Sequence, residues 1–244
     1  MKAAASKSGR TRKPGRPSGA KAVDLRERVL DAAIALFAER GIAATPLRAI
    51  AERVHVTPAL LHYYFRSRDR LVETLLAERV APFVAVSAAP LREPLPSPRA
   101  TLRLFLETHM RNIAANPWMP RLMVREVLSE GGTLRNQMQA QFAMAIAPKM
   151  LWLIASAQRK GEIRDDLNPM LVAVSLVSLA VFPFAAAPLW RDVAESLLHD
   201  VPDLRGHAVA SGLNFVPADQ DALIAHTLRL FDSMLEKPRA KSKR

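Results

Sequence analysis

Residues 45–65 read TPLRAIAERVHVTPALLHYYF, and two Thr-Pro pairs, Thr45-Pro46 and Thr57-Pro58, divide this stretch into two short helices. Each pair offers an N-cap hydroxyl followed by a proline at the first helical position, where a missing N–H costs nothing. Leu47, Ile50, Ala51 and Val54 recur at i, i+3, i+4 and i+7, so the first helix presents one apolar stripe. Only the His55-Val56 turn separates it from the second, and His is among the non-glycine residues that tolerate positive φ. Two capped helices joined by so short a turn and packed on a longer preceding helix form a helix-turn-helix, spanning roughly 46–65.

The preceding helix is read at about 23–40 from Leu30, Ala33, Ile34 and Phe37, with Gly41 as its C-cap. Residues 1–21 carry seven basic groups among Ser, Gly, Pro and Ala and form a disordered basic arm. Downstream, Ser67 caps a fourth helix that holds Asp69 in its first turn and runs through Leu71, Leu75 and Leu76 toward Pro82. Pro90, Pro94, Pro96 and Pro98 are read as a stiff connector. Further helices are expected at about 98–115, 118–129, 133–160, 168–187 and 218–236, with breaks at Asn116-Pro117, Gly131-Gly132, Gly161 and the stretch 202–217. With 9 Gly in 244 residues and Ala and Leu outweighing β-branched runs, the fold class is all-α. The division is a basic arm (1–21), a helix-turn-helix domain (22–68), a helical regulatory and dimerisation domain (69–236) and a basic tail (237–244).

The net charge of +12 sits at the two ends: residues 1–70 net +9, residues 237–244 add +5, and the body between nets −2. Such an excess beside a near-neutral body is the electrostatic footprint of a polyanion partner, nucleic acid or an anionic membrane surface. Met170 to Trp190 carries no charge over 21 residues, yet Pro183, Pro188, Ser175 and Ser178 interrupt it, so a buried or interface helix is expected rather than a membrane span. A membrane-associated basic helical protein is the alternative reading. The N-terminus lacks the apolar region of a secretory signal, and the absence of Cys fits a reducing cytoplasm while excluding thiolate metal sites and Cys nucleophiles. No paired histidines, Gly-rich phosphate loop or nucleophile-base constellation argues for an enzyme, a metal or a cofactor.

The run Gly41, Thr45, Ile50-Ala51, Val56-Thr57, Leu61, Tyr64-Phe65, Arg68 and Leu71 resembles, in order and spacing, the N-terminal signature of the TetR/AcrR transcriptional regulators. About fifty residues carry that likeness. His55 and Ala59 stand where the family commonly has Gly, His62 where Tyr is frequent, Tyr64 where His is frequent, and Arg68 where Lys is usual. The resemblance implies a three-helix DNA-binding domain, a C-terminal helical domain that dimerises and encloses a ligand cavity, and repression of a palindromic operator relieved by ligand. It also implies backbone contacts from Thr45, Tyr64 and Arg68, although Thr45 and Tyr64 equally suit capping and packing.

Within the second helix of the motif, Leu60, Leu61 and Phe65 are read as inward. Pro58, Ala59, His62 and Tyr63 are then left to face the major groove of double-stranded DNA. His62 and Tyr63 are assigned to base edges or neighbouring phosphates, Ala59 to close approach or a thymine methyl, Thr57 to a phosphate while it caps its helix, and Arg48 to a guanine or a phosphate. Lys13-Pro14-Gly15-Arg16-Pro17 resembles an AT-hook, whose Arg16 suits a narrow A·T-rich minor groove. Phe105, His109, Trp118, Met119, Met123, Met144 and Trp152 are candidates for a pocket taking an unknown apolar or aromatic effector, and the same residues suit plain core packing. Arg125-Glu126 is read either as a buried pair or as part of a relay. The Met170–Trp190 helix and a helix bearing Leu223, Leu230 and Phe231 are expected to pair the homodimer.

Overall fold

An apolar stripe from Val29 to Ala38 makes α1 (Gly19–Arg40) the spine of the N-terminal unit: Val29, Leu30, Ala33, Ile34, Leu36 and Phe37 are all buried along it. Gly41, at φ +89°, ends the helix and returns its N–H to the Phe37 carbonyl at 2.9 Å. Against this spine lies α2 (Leu47–Arg53), and α3 (Pro58–Phe65) packs on α2; they bury Ile50 and Ala51 and then Leu61 and Phe65. The computed structural model describes residues 19–201, 203, 206, 217 and 219–236, with the side chains of 19–23 and 141–145 outside the description. The basic tail at 237–244 and nearly all of the basic arm, Arg16 included, lie outside the described residues. Helix α1 begins at Gly19, inside the segment read as arm.

Helix α4 (Arg68–Leu75) opens on Ser67, whose hydroxyl accepts from the Arg70 amide at 3.2 Å. A π-helical turn, Leu76–Val80, carries it straight into α5 (Ala81–Arg92). Pro82 would meet the Glu78 carbonyl in an α-helix and cannot donate to it; the widened turn relieves that clash, and Arg79 Nη1 donates to the carbonyl at 3.3 Å. The stiff connector expected from Pro90 onward is therefore shorter: Pro90 is buried in the last turn of α5, close enough to the end that the helix stops two residues later.

The C-terminal part continues with α6 (Pro98–Ala115), capped by Ser97, and α7 (Trp118–Met123), which ends in a second π-helical turn, Val124–Leu128. The single helix expected at 133–160 is two, α8 (Arg135–Ala145) and α9 (Ala147–Arg159), because Pro148 opens a new first turn at the bend around Ile146. Helix α10 (Pro169–Ala185), capped by Asn168, is followed by α11 (Ala187–Asp200), which the sequence reading missed. The last described helix is α12 (Gln220–Leu235). Phe231, expected at a dimer face, is core instead: it is 1 % exposed, beside buried Ile224 and Leu228.

The uncharged stretch 170–190 is thus not one helix but the junction of α10 and α11, bent by 66°. Among the described residues no single helix is long and apolar enough to cross a membrane.

Candidate nucleic-acid interface and cavity

The turn between α2 and α3 is closed by His55 at φ +58°, as its sequence position suggested, and by the Val56 amide, which donates to the Ala51 carbonyl at 2.9 Å. Buried Leu61 and Phe65 turn the opposite side of α3 outward. Pro58, Ala59, His62 and Tyr63 are all exposed there, Tyr63 at 70 %. Leu60, expected inside, is only half-buried. His62 Nδ1 lies 3.0 Å from the Arg66 carbonyl, which can only accept, so Nδ1 carries the hydrogen and Nε2 is left for solvent or a base. Arg48 is exposed on the neighbouring helix.

Thr57 is exposed and makes no side-chain cap, so its hydroxyl is not committed to its own helix. Thr45 behaves otherwise. It is fully buried, Pro46 and not Thr45 is the N-cap of α2, and its hydroxyl donates to the Gly41 carbonyl at 2.7 Å. The side chain that the family likeness assigned to a phosphate is therefore spent on holding the loop in front of α2. Tyr64 is half-buried against the core and meets the Tyr63 ring edge-on at 5.6 Å. Arg68 is exposed and donates to the Ala43 carbonyl at 3.3 Å, pinning the same loop from outside.

One basic residue of this surface was missed. Arg66, exposed after α3, sits at φ +59° in a tight turn in which the Ser67 amide donates to the Phe65 carbonyl at 2.6 Å. A non-glycine residue held there stores strain of about 1–3 kcal/mol, a feature that collects at functional sites. Only the backbone geometry reveals it, because Arg carries no sequence signal for positive φ.

In the C-terminal part, α5 to α10 surround a cavity of about 650 Å³. That size lies within the range of about 300–1,000 Å³ typical of small-molecule sites. Among the described residues its wall is apolar apart from His109, Arg135, Gln139 and Ser178. Of the residues proposed from sequence, His109, Met119 and Met123 line it. Phe105 stands behind, stacked on the His109 ring at 5.6 Å, and Trp118 packs on Phe83 at 6.0 Å. Trp152 is 60 % exposed on the outer face of α9 and lines no part of it. Met144 falls among the side chains outside the description. Sequence reading missed the α10 wall, Ala173 and Val177 among it, because that uncharged stretch was read as interface.

His109 is the buried polar group of this wall. Its Nδ1 is 2.9 Å from Ser87 Oγ, which also accepts from Asn112 Nδ2 at 2.9 Å, and its ring lies between Phe105 and Phe83. Burial among these rings pushes its pKa down to about 4, so at neutral pH it presents an uncharged imidazole.

Comparison with known proteins follows the same division. Residues 29–75 match the family described as bacterial regulatory proteins, tetR family, and residues 98–210 match the tetracyclin repressor-like C-terminal domain. The transcriptional repressor KstR of Rhodococcus jostii is 31 % identical over 176 residues, covering 62 % of this chain and 82 % of that protein. The chain belongs to the TetR family. It is a helix-turn-helix transcriptional regulator, and its all-α division into a DNA-binding and a C-terminal domain is that of the family. The transcriptional regulator UidR of Escherichia coli is 26 % identical over 161 residues, 63 % of this chain and 76 % of that protein.

Among solved structures, the TetR-family regulator PfmR of Thermus thermophilus superposes with a TM-score of 0.61 at 18 % identity, over 88 % of this chain and 98 % of that one. FadR of Bacillus subtilis, solved in complex with stearoyl-CoA, gives 0.55 at 15 % identity, over 86 % and 100 %. Both share the fold. Membership of the TetR family takes the place of the membrane-associated alternative that the charged ends and the uncharged stretch had left open.

Proposed function

We propose that this TetR-family chain is a cytoplasmic repressor that binds a palindromic operator as a homodimer and leaves it when a small apolar or aromatic molecule fills the C-terminal cavity. The observation that carries the first half is the exposed row Pro58, Ala59, His62 and Tyr63 on a helix whose other side is locked into the core. With Nδ1 engaged by the Arg66 carbonyl, His62 leaves Nε2 turned outward to meet a base edge in the major groove. Tyr63 and Ala59 supply apolar contact and a phenol donor, while Thr57, Arg48, Arg66 and Arg68 serve phosphates and set register.

The second half rests on the cavity, whose neutral, buried His109 gives a largely apolar wall a group to orient a polar substituent. Dimerisation is supported by exposed apolar residues along α10 and α11, Met170, Leu171, Val174, Phe182, Leu189, Val193 and Leu197. A two-fold pairing would place the reading helices about 34 Å apart, one turn of DNA. The basic arm, with Arg16, is proposed to add minor-groove and phosphate contacts. Its removal should flatten the dependence of affinity on salt.

Selection of bound fragments from sheared genomic DNA with the purified protein tests this reading. It should recover one inverted repeat that sediments with two or more chains. Recovery of fragments with no shared sequence would sink it.

A further inference from the structure

The two parts of the molecule meet at a buried carboxylate. Glu126 lies in the π-helical turn Val124–Leu128 and is 4 % exposed. It is not paired with Arg125, as one sequence reading had it. Its Oε1 accepts from the Ile42 amide at 2.8 Å and its Oε2 from the Thr133 amide at 3.0 Å, while its carbonyl accepts from the Leu134 amide at 3.1 Å.

Ile42 is the second residue past the end of α1, where the amide commonly turns back onto the helix's own last carbonyls. Here a side chain from the C-terminal domain takes that amide instead. The fit is close: a Cβ on Gly41 would stand 3.0 Å from Oε1, and one on Gly132 would stand 2.3 Å from the Glu126 carbonyl oxygen. The loop that Glu126 holds, residues 41–46, leads directly into α2 and is the one tied by Thr45 and Arg68.

On its other side Glu126 joins two walls of the cavity. Val124, Val127 and Leu128 of the same turn line it, and so do Arg135 and Met138 of α8, which begins immediately after the Thr133–Leu134 pair bonded to Glu126. A molecule that parts these walls would shift the carboxylate against Ile42, and a buried carboxylate drawn off its partners carries a desolvation cost.

We infer that Glu126 is the positioning residue that transmits occupancy of the cavity to the helix-turn-helix, through its hydrogen bond to the Ile42 amide. This rests on the reading of the cavity as an effector site. A cavity-filling substitution, Val177→Trp, or the smaller Ala173→Leu should it not fold, stands in for a bound molecule.

Affinity for a DNA fragment selected as above and exchange of the Ile42 amide are measured with and without the filler, in chains carrying Glu126, Glu126→Gln or Glu126→Ala. With Glu126, the filler should weaken DNA binding by about 5- to 150-fold, the usual range of coupling between sites. It should also speed exchange at Ile42, with none at Val56, which is bonded inside the motif. With Glu126→Ala, the filler effect should fall below about threefold. With Glu126→Gln, whose amide oxygen still accepts from Ile42, it should persist.

Equal weakening in the Glu126 and Glu126→Ala backgrounds, or unchanged exchange at Ile42 while DNA binding falls, overturns the role of Glu126 and leaves the cavity reading standing. Folded fillers that change neither DNA affinity nor Ile42 exchange overturn both.

Discussion

The N-terminal unit is solid where the C-terminal part is hollow. Around Phe37, Leu30, Ile50 and Leu61, each no more than 2 % exposed, the three helices of the motif fill their interior with side chains, and their polar work is done outside. Around His109, helices α5 to α10 leave about 650 Å³ open, and the polar work is done inside. A reading head must hold its surface rigid to place base contacts, whereas a sensor needs an interior whose packing a guest can complete. The difference predicts that the two parts respond unequally to substitution.

The largest effect is expected in the solid part. Phe37→Ala should lower unfolding free energy by about 3–5 kcal/mol in urea, because neighbouring helices cannot collapse into the space. A loss below about 1 kcal/mol would show that this core is looser than the burial implies.

In the hollow part acid is the sharper probe. The His109 pKa is near 6.5 unfolded and about 4 folded, so between those values the unfolded chain binds the extra proton. Stability from this group is complete above about pH 6.5 and declines by about 3 kcal/mol as pH falls toward 4. His109→Gln should flatten that limb of the stability profile, and an unchanged limb would place the acid sensitivity elsewhere.

Outside the solid core, His62→Ala or Tyr63→Ala should weaken specific DNA binding by about 1–3 kcal/mol. Their stability should stay within about 0.5 kcal/mol of the parent, since both side chains are exposed. The smallest effect is reserved for the cavity: Val177→Trp should alter stability by less than about 1 kcal/mol, whereas an insertion of that size into a filled core costs about 1–3 kcal/mol.

This contrast also explains what the sequence made legible. The motif could be read because its signals are local: Thr-Pro starts, a four-residue apolar stripe, a His at the turn. Even there Thr45 misled, since a hydroxyl before a helix is as able to bond backward to Gly41 as forward to an amide. Arg66 gave no warning, because its strained turn is imposed by the packing on both sides of it. In the C-terminal part, the ends of α6 were legible from Pro98 and Asn116-Pro117, yet the cavity was not. Periodicity says that Met119, Trp152 and Val177 lie on stripes, but not whether a stripe faces a neighbour, a hole or solvent. Trp152 went to solvent and Val177 to the hole. The link through Glu126 to Ile42 spans 84 residues and leaves no pattern in the chain at all.

The central claim is that an exposed face of α3 reads sequence. It is tested most directly by the ratio of affinities for a duplex recovered by selection and for a shuffled duplex of the same composition, measured at physiological salt. A sequence reader of this kind should prefer the selected duplex by about 10³-fold or more. A ratio near one would mean that the basic residues bind DNA by charge alone and that the face of α3 reads nothing.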